Sequence, residues 1–410
     1  MTSADDSLDT PVLVIGAGPV GLAAALALRA KGLPVTLLEA EGRDRVRPGS
    51  RALFVHQESL RLLDAASPGL AARIVDNGVV WQTKRTFYRG RQVFARTYPP
   101  ARPGALPKFT SLRQIETERH LLAACHAAGV ELAWDSEVTE ISSTERGVRL
   151  RTASGTQWSA KYVVAADGAH SAVRKGVGIN WQGRRSEGFH VVVDVADGGA
   201  DMMPLERVFH YQHPALDGRN VMRVPFAGGF QVDVQFSEQD DVADFAEPDS
   251  VRRWLPRVID PRYVDSVLWL SKYHYLQVVA ESFVDSARRI LLIGEAAHLF
   301  PPFGARGMNS GFADGSSAAT SIAEALAAGA AGAANAAIER FDHSRRAAAR
   351  YNSDAAGTAL AHMRPASRTL RLRQATAAAL SPLVPPFGSW LEHSPYGPRT
   401  APPTNTTGKY

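Results

Sequence analysis

One cysteine, Cys125, stands among the 410 residues. That excludes an internal disulfide framework and any multi-cysteine metal or iron–sulfur site. A single thiol fits a reducing compartment. No apolar run reaches the ~20 residues needed to cross a bilayer. The opening stretch, MTSADDSLDT, is acidic and lacks the basic start and apolar segment of a secretory signal. A cytoplasmic protein held away from membranes is therefore expected. Basic residues number 46 against 41 acidic ones, a net +5, and no run of five Lys or Arg occurs. Nucleic acid is not expected as a partner. No internal repeat is present, and no metal site is expected.

What is there is a chain long enough for two or three domains, with an ordinary 45% hydrophobic content. Residues 11–15 (PVLVI) have the length and uniform apolarity of a buried strand. GAGPVG follows, then an Ala/Leu-rich helix over 22–31 stopped by Gly32. Residues 34–38 read as a second buried strand ending at Glu39. This is a β-turn-α-β unit. Further on, 55–75 and 114–128 read as helices. Short strands are expected at 79–107, 130–134, 136–142, 147–153 and 161–165. A run of strands spans 188–236, and one long strand spans 264–279. A helix is expected near 249–258, a buried strand at 289–293 and a small-residue helix at 311–328. Beyond Gly332 the chain is helical and Arg-rich, and from about 395 it is Pro/Thr/Gly-rich.

Chemistry enters with Gly16-x-Gly18-x-x-Gly21 between strand and helix. Gly16 permits the tight turn, Gly18 lets a pyrophosphate approach the backbone, and Gly21 lets helix and strand pack closely. Glu39, at the tip of the next strand, has the spacing of an acid that accepts hydrogen bonds from a ribose. The motif alone does not separate NAD from FAD.

Two further motifs make that choice. Residues 167–174 read DGAHSAVR after a strand, and residues 294–311 read GEAAHLFPPFGARGMNSG. Taken in order with the glycine motif, they resemble those of the class A flavoprotein monooxygenases, the aromatic hydroxylases with the para-hydroxybenzoate hydroxylase fold. The resemblance covers roughly residues 11–345. It implies an α/β fold in which an FAD-binding Rossmann-like domain is interleaved with a mainly antiparallel β-sheet substrate domain, followed by C-terminal helices. The implied division is 1–80, 108–183 and 283–345 for FAD, 81–107 and 184–282 for substrate, and 346–410 for the helical segment and tail.

Carried over residue by residue, the resemblance gives Gly16, Gly18, Gly21 and Glu39 the ADP half of FAD. Arg51 is similar to the family arginine that contacts the phosphates, and Gln114 to the cofactor-contacting glutamine. Asp167 and Gly168 belong to the motif linked to FAD and the reducing nicotinamide. Glu295 takes the place of the ribityl-binding acid, where the family usually has Asp; the extra methylene moves the carboxylate outward. Pro302, Gly304, Gly307, Met308 and Asn309 form the loop against the isoalloxazine ring. Arg306, in GARG, brings a fixed positive charge near the flavin and with Pro302 is assigned to catalysis. His298 reads as loop support and Cys125 as a core residue.

The implied reaction uses NADH or NADPH as a transient co-substrate and O2 to hydroxylate a phenol-, aminophenol- or hydroxybenzoate-like ring through a flavin 4a-hydroperoxide. A Baeyer–Villiger or epoxidising oxygenase on the same scaffold, with a polyketide- or quinone-like substrate, is the alternative. The halogenase signature WxWxIP is missing. A monomer or homodimer is expected. The Arg-rich stretch Arg364–Arg373 is the one segment suited to an anionic membrane surface, and its apolar face is small. The substrate pocket is expected between the strands of 188–236 and 264–279 and the Pro301–Gly307 loop. Alternation puts Asn220, Met222, Val224 and Phe226 on one face and Arg223 on the other. Met222, Arg223, Val224, Tyr211, Tyr273 and His274 are the substrate candidates, with Arg223 suited to a carboxylate.

Overall fold

The fold is described from a computed structural model, which covers residues 10–45, 53–185, 188–198, 201–274 and 276–398. The expected phosphate arginine, Arg51, lies outside the described residues.

The strand Thr10–Ile15 pairs in parallel with Val35–Leu38 on one side and Gln157–Ala165 on the other. Gln157–Ala165 also takes Ile290–Leu292 in parallel at its far end and Gly147–Thr152 antiparallel at its near end. A central strand covered on both faces needs apolar side chains throughout, hence the uniform run. Val12, Leu13 and Val14 are completely buried. The helix Pro19–Ala30, with Pro at its first position, buries Leu22, Ala23, Ala24, Ala25, Leu26 and Leu28. The long helix Arg306–Ala327 lies on it at close range. A Cβ on Gly311 would stand 2.4 Å from Val20. The small residues there let the two helix N-termini approach each other.

A second sheet of seven strands has the order Val267–Tyr273, Phe189–Ala196, Gly229–Phe236, Arg219–Phe226, Glu206–His213, Thr83–Tyr88, Arg91–Thr97. All pairs are antiparallel except Glu206–His213 with Thr83–Tyr88. Its outer face carries Phe189, Val191, Val193, Val195, Phe230, Val232, Val234 and Phe236. These pack with Val251, Trp254 and Leu255 of the helical segment that follows. The first sheet keeps a separate core, drawn from Val12 to Ala349.

Several expectations needed correction. The strand expected over 264–279 is two strands. Val267–Tyr273 stays in the large sheet, and Leu276–Ala280 crosses to a three-stranded sheet with Trp181–Arg185 and His298–Leu299. The 55–75 helix is a short strand, Phe54–His56, and two helices parted at Gly69, whose φ is +82°. The helix expected at 311 starts at Arg306, one turn into the glycine loop. The helix Ala331–Met363 runs unbroken through the 345/346 boundary implied for the third segment.

Candidate functional site

The first strand ends in a turn that only glycine fits. Gly16 has φ +98°, and a Cβ there would lie 2.5 Å from the Ala166 carbonyl oxygen. A Cβ on Gly21 would lie 1.9 Å from the Gly16 oxygen, so helix and turn are in contact. Gly18 differs: no protein atom comes within 4 Å of its would-be Cβ, and it lines a cavity. Its open side is a cradle at the positive end of a helix. Glu39 stands beside it on the cavity wall. Its Oε2 accepts from the Ala17 amide at 2.6 Å and meets Arg45 Nη1 at 2.7 Å. Arg45 also donates to the Ala17 carbonyl at 2.8 Å and lies over the Trp134 ring. Sequence reasoning did not single out Arg45; no spacing rule marks it.

Further along the cavity come Gln114, Asp167, Gly168 and Glu295. Gln114 Nε2 donates to Glu118 Oε1 at 3.0 Å. The Asp167 carboxylate accepts from Ser171 Oγ at 2.7 Å and from the Val173 amide at 3.0 Å. Burial pushes its pKa up, against the pull of those hydrogen bonds. Glu295 is exposed to the cavity on a short 3-10 turn.

The segment 301–309 stands opposite. Pro302, Gly304, Arg306, Gly307, Met308 and Asn309 all line the cavity. Ala305 precedes the helix in the left-handed region, φ +52°, a conformation that costs an alanine roughly 1 kcal/mol. Asn309 holds this loop to the Phe54–His56 strand. Its Oδ1 accepts from the His56 amide and Ser59 Oγ, and its Nδ2 donates to the Phe54 and Ala305 carbonyls. The Arg306 guanidinium donates to Asn352 Oδ1 at 2.7 Å and to the carbonyls of Tyr396 and Pro398. Its fixed charge is thus anchored to the C-terminal segment. Beneath the loop, buried His298 Nε2 bonds Asp314 Oδ2 at 2.7 Å, and Arg345 bonds the other oxygen. His298 supports the loop through that contact.

The inner face of the large sheet closes the cavity. Met222, Tyr273 and His274 reach it. Tyr211, Arg223 and Val224 are not among the lining residues. Tyr211 is buried, donating to the Leu391 carbonyl at 2.6 Å and touching His362. Arg223, on the opposite face from Met222 as alternation requires, lies by Glu206 and Met203. Val224 packs against Leu53, Trp81 and Phe226. The apolar positions of 229–236 serve the outer core. The cavity instead meets Gln231, Asp233 and Gln235, joined by Asn220 and His190. These polar side chains alternate along strands otherwise apolar, and that alternation was the signal that could have found them.

The cavity runs from Gly18 and Glu39 past Pro302 to His190 and Asp233, with a volume of about 2250 Å³. Sites for one drug-sized ligand run to ~1,000 Å³, so there is room for a dinucleotide and a second molecule. The open cradle at Gly18 and the two facing loops fit FAD.

In fold, the chain is similar to p-nitrophenol 4-monooxygenase from Pseudomonas putida DLL-E4, with a TM-score of 0.75 at 22% identity, covering 95% of this chain and 99% of that one. The expected α/β fold of the para-hydroxybenzoate hydroxylase type is the observed one. In sequence, it is 29% identical over 369 residues to a 3-(3-hydroxy-phenyl)propionate/3-hydroxycinnamic acid hydroxylase of Mycobacterium avium, covering 84% of this chain and 60% of the relative. A hydroxylase of the same name from Burkholderia vietnamiensis is 31% identical, covering 92% of this chain and 68% of its own. The chain spans about three fifths of the length of the mycobacterial relatives it matches. The glycine loop, the mid-chain Asp-Gly and the 294–309 segment all fall within residues 9–356, which match the model of the FAD binding domain, and the chain belongs to that family.

Proposed function

We propose that this protein is an FAD-dependent monooxygenase that hydroxylates a phenolic ring with NADH or NADPH and O2. One observation carries this beyond FAD binding: the cavity that begins at the glycine loop ends on a polar sheet face able to handle a phenol. The named activities of the relatives support it.

Bound FAD supplies the reductive activation of dioxygen. The chain's own residues do the rest. Gly16, Gly18 and Gly21 set a turn that admits the diphosphate, and the N-terminal amides of Pro19–Ala30 face its charge. Glu39 is positioned to accept from the adenosine ribose, held by Arg45. Asp167, Gly168, Gln114 and Glu295 line the same cavity and would hold the rest of the cofactor, with Glu295 toward the ribityl chain. Loop 302–308 is positioned to flank the ring, with Asn309 fixing its shape. Phe303, Tyr273 and Met222 offer apolar surface to an aromatic substrate and keep water from the reacting centre. Separate cores for the two sheets support the division into cofactor and substrate parts. No described helix is long and apolar enough to cross a membrane. The scarcity of cysteine supports a reducing, cytoplasmic setting.

Purified protein should be yellow. A panel of phenols, aminophenols and hydroxybenzoates should include a compound that stimulates NAD(P)H oxidation and gains one oxygen by mass. No stimulation across the panel would remove aromatic hydroxylation.

A further inference from the structure

Nine large apolar side chains are exposed among the described residues, and five of them, Leu372, Leu380, Leu383, Val384 and Phe387, fall between residues 372 and 387. Leu383 is 82% exposed and Leu372 69%. Leu372 and Leu380 lie about two turns apart on the outward face of the helix Arg368–Leu380, whose buried side carries Gln374, Ala377 and Ala378. The turn 382–387, PLVPPF, continues that surface and is exposed at every residue. The apolar face of Arg364–Arg373, small by itself, is thereby extended.

The turn has little to lose by leaving water. Proline at 382, 385 and 386 carries no N–H. The amides of Leu383 and Val384 both donate to the Leu380 carbonyl, at 3.0 and 2.9 Å, and the Phe387 amide donates to the Val384 carbonyl at 3.0 Å. Every backbone donor of the turn is therefore absent or already used. Burying it in an apolar medium orphans no amide, which is the condition for entering the edge of a hydrocarbon layer.

The surroundings are basic. Arg368, Arg371 and Arg373 are exposed on the same helix. Arg89, Arg91 and Arg96 are exposed on the adjoining hairpin, where Arg91 donates to the Ala378 carbonyl and ties the two elements together. No Asp or Glu occurs in residues 77–115 or 355–391. Glu392, the first acid beyond, is buried against Arg207. A twofold contact between two copies would bring these arginines together with no acid from either segment to meet them. A surface of lipid phosphates matches both the charge and the apolar turn.

We propose that this face docks on the surface of an anionic phospholipid bilayer. The turn 382–387, with Leu372 and Leu380, enters the boundary between headgroups and acyl chains, and the arginines meet the phosphates. The chain lies on the membrane and does not cross it. The helix Pro385–His393 leads from the turn to His393, Pro395 and Tyr396, which line the cavity, so docking holds that wall close to the bilayer. Attachment does not depend on which reaction the cavity supports.

The test is flotation of the FAD-loaded full chain with two kinds of vesicle, phosphatidylcholine alone and phosphatidylcholine with an equal part of phosphatidylglycerol, at about 0.15 M salt. Partition into the anionic vesicles should be at least about tenfold the stronger and should weaken as salt rises. Leu372→Ser with Leu383→Ser should reduce that partition at least about tenfold. Arg368→Gln with Arg371→Gln should also reduce it about tenfold and flatten its salt dependence. Both double variants change exposed side chains and should keep the wild-type thermal unfolding, so their losses report the surface. Absence of flotation with anionic vesicles, equal flotation with phosphatidylcholine alone, or wild-type flotation of both double variants overturns the proposal. A wild-type dimer that does not float, and that Leu372→Ser with Leu383→Ser splits in sedimentation velocity, gives the face to a second copy and overturns it as well.

Discussion

Arg207 Nη2 lies 2.8 Å from Glu392 Oε1, with the arginine side chain 2% and the glutamate 0% exposed. The pair joins the strand Glu206–His213 to the helix Pro385–His393. Tyr396 Oη accepts from the same guanidinium, and Thr86 Oγ1 donates to the other glutamate oxygen at 2.5 Å. Lys84 lies over the Tyr396 ring at 4.6 Å. A C-terminal helix is thereby locked to the seven-stranded sheet by charge rather than by apolar contact alone.

Removing one partner leaves the other charge buried, which costs about 3–5 kcal/mol. Arg207→Ala and Glu392→Ala should each lose roughly that much in urea unfolding. The double change Arg207→Met with Glu392→Leu should lose clearly less than the two single losses together. Additive losses would show that the two residues do not act as a pair.

The glycine loop separates folding from cofactor binding. Gly21→Ala brings a Cβ to 1.9 Å from the Gly16 oxygen and should destabilise the fold. Gly18→Ala meets no protein atom within 4 Å and should leave the fold intact while weakening FAD binding by at least about tenfold. Thermal unfolding of the apoproteins and flavin fluorescence titration check the two effects. Equal thermal losses in both variants would contradict it.

Asp314 ties the 294–309 region to the helix Ala331–Met363. Burial opposes its ionisation, but His298 and Arg345 outweigh that and hold its pKa below the usual carboxylate value. Its folded pKa lies under its unfolded one. The stability it contributes is therefore complete above an ordinary Asp pKa of about 4 and is lost as pH falls through the folded value. Asp314→Asn should be less stable than wild type at neutral pH. The gap should narrow below pH ~4. Chemical denaturation at pH 7 and pH 3 measures it.

Cys125 donates to the Leu22 carbonyl at 3.4 Å, and burial pushes its pKa up to about 12. At pH 8 the thiol therefore stays protonated and unreactive. Ellman's reagent should leave the native protein unlabelled over minutes and titrate one thiol after denaturation. Rapid native labelling would place the thiol at the surface.

The cofactor half of the molecule was legible because its chemistry depends on local backbone. A turn that needs Gly16, a cradle at Gly18 and a buried strand before each loop leave marks within a few residues of one another. The far half was harder. The pocket was expected among the strands of 188–236, yet Phe230, Val232 and Val234 there face helices that fold onto the sheet from residues 242–258. Which face of a two-sided buried strand meets a ligand depends on what covers the other. Tyr211 and Arg223 were chosen for side-chain chemistry, and both are spent on distant partners, Leu391 and Glu206. His190 and Asp233 meet only through a diagonal across two strands, a relationship no linear spacing encodes. Arg306 was read for its charge, whereas its partners at 352, 396 and 398 lie far along the chain.

The strand order of the first sheet sets a schedule for assembly. Thr10 finds its neighbour only at Ala160, and the strand holding Ala160 waits for Ile290 to complete its far end. Parallel pairings at such separations are slow to form. During synthesis the first strand leaves the ribosome long before two of its sheet-mates exist. The cavity proposed to hold FAD is lined from the loops that follow these three strands, at Gly18, Asp167 and Glu295, so a cell short of flavin would be short of a ligand able to draw them together. Soluble yield on expression should then follow riboflavin supply, and the nascent chain would be most exposed to aggregation before residue 290 emerges.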